Sequence, residues 1–166
     1  MSILWSFFWP CVAIGLLVGG LTGTIAFRRS ARRNIALAIG TALTLVLTLV
    51  WSGPLGAADR FTTRVEHDAR TFLDHYEMTQ IAAHLHHGPL SRHLVLSGRA
   101  DDFQTAEMVR LMSEQPGVSS AQWTERPTGV PLLVEALVAA TAGFIFGLGL
   151  AYLNELRRHN NAQWNW

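Results

Sequence analysis

The stretch Phe27-Arg28-Arg29-Ser30-Ala31-Arg32-Arg33-Asn34 sets four arginines in a gap between two long apolar runs. Arginines in short loops between membrane spans stay on the cytoplasmic side, because carrying the cation across a bilayer is costly and the membrane potential opposes it. Placing residues 28–34 inside fixes the direction of both neighbours. The run before it, residues 1–27, is free of charge from Ile3 to Phe27. That is enough to cross about 30 Å of hydrocarbon with some tilt. Its far end carries Trp5, Phe7, Phe8 and Trp9, which suit the headgroup boundary, so the N-terminus is expected outside. Residues 1–9 lack the positive charge that opens a cleavable signal, and a retained helix is expected.

Working outward, residues 35–53 form a second span with Trp51 as its outer anchor, and Ser52-Gly53-Pro54 breaks it. Residues 131–153 form a third, interrupted only by Glu135 near its outer end. Tyr152 marks its inner boundary, and Arg157 and Arg158 hold the tail, residues 154–166, on the same side as Arg28, Arg29, Arg32 and Arg33. Three spans satisfy both arginine clusters. In a Gram-negative bacterium this describes a multi-pass inner-membrane protein with residues 54–130 in the periplasm.

Each span carries small residues at four-residue spacing: Gly15, Gly19 and Gly23; Ala36, Gly40, Thr44 and Thr48; Ala139, Gly143, Gly147 and Ala151. Such faces let helix backbones approach closely. Three of them in one small protein point to tight packing, against one another or against a neighbour, with at least one face available for a partner.

The formal net charge of +1 argues against a nucleic-acid partner, which needs a basic face. All thirteen basic residues are arginine. The single cysteine, Cys11, excludes an intramolecular disulfide and a thiolate metal site.

Within residues 54–130, Asp59 to His84 is predicted helical, with Val65, Ala69, Phe72, Leu73 and Tyr76 on one buried face. Ile81, Ala82 and Leu85 extend that face until Gly88-Pro89 ends it. His93 to Ala100 reads as a strand with Leu94 and Leu96 on one side and Val95 on the other. Asp101 and Gln104 have the spacing of a capping box for a helix running through Gln115. Its candidate core is Phe103, Ala106, Met108, Val109, Leu111 and Met112. Pro116-Gly117 ends it, and Val118 to Trp123 reads as a further strand, giving a strand–helix–strand unit.

The order Leu96-Ser97-Gly98, then a helix, then Pro116-Gly117-Val118 and a closing strand resembles the second half of a BON domain. The resemblance implies a helix upstream and a first strand around residues 78–87. It also implies a non-catalytic module that binds lipid, cell-wall or protein surfaces. The expected fold class is thus a membrane α-helical protein, three transmembrane helices carrying a small α/β BON-like extramembrane domain.

His84, His86, His87 and His93 form the one metal-like group, but no carboxylate is fixed beside them by spacing, and a solvated or pH-responsive surface is the expected reading. Ser97 lacks the flanking glycines of a nucleophile elbow. Asp101 and Asp102 read as helix cap and first-turn charge. Glu135 is expected at the interface, or paired with an arginine of a partner. No catalytic residue and no cofactor motif is identified; bound lipid is the ligand such helices accommodate. The expected role is a non-enzymatic accessory or scaffolding subunit that docks on other membrane-protein subunits, or on itself, through glycine-faced helices and the outer domain. A stand-alone envelope protein binding lipid or cell wall is the alternative, with a homo-oligomeric channel behind it.

Overall fold

The computed structural model describes residues 3–28, 32–123 and 130–163. Among the described residues, five helices and three strands follow in the order α1 (Ile3–Arg28), α2 (Arg33–Ser52), α3 (Ala57–His75), β1 (Ile81–His87), β2 (Leu90–Gly98), α4 (Asp102–Ser113), β3 (Ser120–Gln122) and α5 (Leu132–Gln163). Three helices, α1, α2 and α5, are long and apolar enough to cross a membrane. The chain divides into a sheet unit, residues 1–7 and 56–135, and a helical unit, residues 8–55 and 136–166.

The helical unit is built on its small residues. A Cβ on Gly15 or Gly19 would run into the backbone carbonyl oxygens of Ala140 or Phe144 on α5. From the other side, a Cβ on Gly143 or Gly147 would meet the carbonyls of Val12 or Leu16 on α1. Helix α2 approaches α1 where Gly40 faces the side chain of Thr22. The buried face of α2 is Gly40, Thr44, Thr48 and Ser52. Its hydroxyls each donate to the carbonyl four residues back, from Thr44 to Gly40 (2.9 Å), Thr48 to Thr44 (2.8 Å) and Ser52 to Thr48 (3.0 Å). This keeps every hydroxyl on that face satisfied inside one helix, as an apolar setting demands.

The sheet unit orders its strands β1-β2-β3, with β1 antiparallel and β3 parallel to β2. Helix α3 packs on β1, and α4 on β3 and β2. Leu73, Leu85, Leu94, Leu96 and Met112 are fully buried, each contributing roughly 1.5–3 kcal/mol of hydrophobic stabilisation. The capping box on α4 is formed as the spacing predicts: Gln104 N–H donates to Asp101 Oδ1 at 2.7 Å, and Asp101 N–H to Gln104 Oε1 at 3.3 Å.

Several expectations need correction. The helix expected to reach His84 stops at His75, and Ile81 to His87 is a strand. The stop is a Schellman motif, with Met78 N–H donating to Leu73 O (2.9 Å) and Glu77 N–H to Asp74 O (3.1 Å). Glu77 occupies the left-handed position at φ 58°, where glycine is usual. Tyr76 is half exposed, and Phe103 is 79% exposed rather than core. Phe103 lies five residues before Met108, about 140° around the helix from the buried Met108–Met112 face. Val95 is buried like Leu94 and Leu96, so both sides of β2 are covered. β2 starts earlier than expected and β3 is shorter. The helix of the third apolar run continues past Leu153, as α5, to Gln163. By their contacts residues 1–7 and 131–135 cluster with the sheet unit, while residues 3–7 and 132–135 remain parts of the long apolar helices α1 and α5, as expected.

Candidate functional site: an arginine joint, a histidine face and an aromatic cleft

Arg92 on β2 joins three parts of the sheet unit. Its Nε donates to Gly117 O (3.1 Å) and its Nη1 to Glu135 Oε2 (3.0 Å), while its carbonyl accepts from Ser119 N–H (2.8 Å) and Ser119 Oγ (3.0 Å). The Arg92 and Glu135 side chains are 20% and 24% exposed. Next to them Ser91 bridges to Pro131. The carboxylate expected to face the interface or a partner's arginine is therefore paired inside the chain. The partner lies 43 residues away and has no local signature.

The histidines fall on the hairpin. Alternation along β1 turns Ile81 and Leu85 to the buried side and Ala82, His84 and His86 to the other. His84 pairs across the ladder with Val95, and His93 pairs with Ser120. His93 is fully buried; its Nδ1 shares a hydrogen bond with Ser120 Oγ at 2.8 Å, and its Nε2 has no hydrogen-bond partner among the described residues. Burial pulls its pKa below the usual imidazole range, and neighbouring His86 adds to that. His86 Nδ1 lies 3.3 Å from Pro89 O, and His87 is exposed at the turn. No group of three or more metal-ligating side chains occurs among the described residues. Ser97 is exposed at the end of β2, Asp101 caps α4, and Asp102 lies in its first turn.

The residues expected to complete the α3 core instead border a cleft. Asp68, Thr71, Phe72 and His75 of α3, with Gln115 beyond α4, line an open depression of about 400 Å³. Tyr76 sits beside it, its ring 4.7 Å from Phe72 and 5.4 Å, edge-on, from His75. Phe72 and Tyr76 are four residues apart, a spacing that reads as core whenever the neighbouring α3 positions are apolar. The signal that separates them is the early helix stop, which turns the chain away before anything covers Tyr76.

At the arginine end, Arg28 closes α1, Arg32 precedes α2 and Arg33 opens it; Arg29 lies outside the described residues. Glu155 on α5 takes Arg28 at 4.0 Å and Arg158 at 3.9 Å, and Arg157 is exposed. Tyr152 stacks edge-on with Phe27 at 5.5 Å. Trp5 and Trp9 are exposed and Trp51 is half-buried. Gly15, Gly19, Gly23, Gly40, Gly143, Gly147 and Ala151 all face another helix of the same unit. The α5 residue in the α1 contact is Ala140, fully buried, and Ala139 beside it is only half-buried. No protein-family model, curated protein or solved structure matches the chain.

Proposed function

We propose that this protein is a non-enzymatic accessory or scaffolding subunit of a larger bacterial inner-membrane complex, with the sheet unit as a BON-like periplasmic domain. The element order helix, strand, strand, helix, strand agrees with that resemblance, and the arginine clusters favour an inside C-terminus. One observation bears on where such contact would fall: Gly15, Gly19, Gly23, Gly40, Gly143 and Gly147 already face the chain's own helices. This disfavours docking through the glycines and favours the aromatic-bordered cleft of α3 as the surface for a partner. Tyrosine beside a shallow cleft is the composition of a protein–protein anchor, with a rigid apolar ring and a polar tip.

The test is purification of the full chain from its native membrane in gentle detergent, followed by native mass analysis, with Tyr76→Ala and Phe72→Ala beside the wild type. Co-migration with other subunits at fixed stoichiometry, weakened about tenfold or more by either substitution, supports the reading. Migration alone sinks it and favours the stand-alone lipid- or wall-binding module.

A further inference from the structure

An apolar groove of about 440 Å³ runs between α1 and α2, walled by Leu21 and Ile25 on one side and Ile35, Ile39 and Leu43 on the other. Gly40 and Thr22 meet in it, and Arg32 stands at its end. Arg28 and Arg158 share Glu155, whereas Arg32 has no carboxylate partner among the described residues. From Arg32 to Leu43 the chain rises about 16 Å at 1.5 Å per residue. Half of a hydrocarbon core is about 15 Å. The groove thus matches the depth of one leaflet, with Arg32 at the level of the headgroups.

We propose that this groove binds an anionic phospholipid, one acyl chain along the apolar walls and the phosphate on Arg32. A guanidinium presents paired donors that fit phosphate oxygens, and it stays charged at any physiological pH. A partner's helix fills the apolar length but brings no anion to Arg32 unless a carboxylate is placed there; a phospholipid brings both in one molecule. The inference rests on the three helices lying in a bilayer and not on the subunit reading.

The experiment incubates the full-length protein with micelles containing phosphatidylglycerol and phosphatidylcholine of identical chains, and counts retained lipids by native mass spectrometry. The wild type retains one phosphatidylglycerol per chain, preferred by about fivefold or more. Arg32→Gln removes the preference. Ala36→Phe, which places a ring in the groove, lowers retention of both lipids while helicity is unchanged. Arg158→Gln, outside the groove, leaves retention as it was. Equal retention of the two lipids by the wild type overturns the proposal, as does an equal loss from Arg158→Gln and Arg32→Gln, which marks diffuse charge. A photo-crosslinker at Ile39 that captures a polypeptide in place of lipid overturns it as well.

Discussion

Two adjacent glycines of α1 give a test of the helical unit that carries its own control. A methyl group on Gly19 lands on the Phe144 backbone, whereas one on Gly20 meets nothing within 4 Å. Both substitutions to alanine gain the same helix preference, about 0.5–1 kcal/mol. Only Gly19→Ala adds overpacking against a backbone, which cannot swing aside as a side-chain tip does; that costs about 1–3 kcal/mol. Gly20→Ala is therefore expected to stabilise slightly, and Gly19→Ala to fall about 1–3 kcal/mol below it, the shared preference cancelling in the difference. On α5 the same contrast holds between Gly147, whose Cβ meets Leu16 O, and Gly149, which is open. The assay is unfolding in mixed micelles of rising denaturing-detergent fraction, followed by far-UV circular dichroism. Members of a pair that agree within about 0.3 kcal/mol would refute the close α1–α5 approach.

Arg92→Ala and Glu135→Ala each lose about 1.5–3 kcal/mol of sheet-unit stability, the range for hydrogen bonds to charged groups; the double mutant loses less than the sum, and full additivity in a denaturant cycle contradicts the pairing. Glu77→Gly stabilises by about 1 kcal/mol by relieving the left-handed backbone, and a lower urea midpoint argues against the Schellman stop. His93 has its pKa lowered by burial, so the unfolded chain takes its proton near pH 6.5 while the folded chain resists to lower pH. Between those points the unfolded state binds more protons, and stability falls as pH drops below about 6.5. His93→Asn, which keeps a polar neighbour for Ser120, flattens that fall; a slope unchanged by the substitution removes His93 as its source.

The three long apolar helices were legible because long uncharged runs are local signals, and the α4 cap was legible because Asp101 and Gln104 are three residues apart. The hairpin was harder. Ile81 to His87 carries apolar residues that suit a helix or a strand, and the stop before it is made by Glu77 in a position where glycine would have announced it. Phe103 is apolar but faces away from Met108 and Met112, and apolar character without the helical angle does not distinguish it from core. The candidate site is legible only in part: the spacing of Phe72 and Tyr76 marks both residues, but as core. The Arg92–Glu135 pair joins residues on either side of a whole helix and strand, and no spacing rule reaches that far. The arginine end was visible at once, while the groove beside Arg32 depends on how two helices meet.

The sheet unit does not end where the polar sequence ends. Phe7, near the start of the chain, rests 5.4 Å from Phe61, and Pro131 and Glu135 are bound to Ser91 and Arg92. During synthesis the sheet unit therefore stays unfinished until residues 131–135 have left the ribosome. Arg92 waits without Glu135 over that interval, and the first turn of α5 enters as the piece that closes the unit. A chain truncated before Pro131 would linger in that unfinished form, an open target for proteolytic quality control.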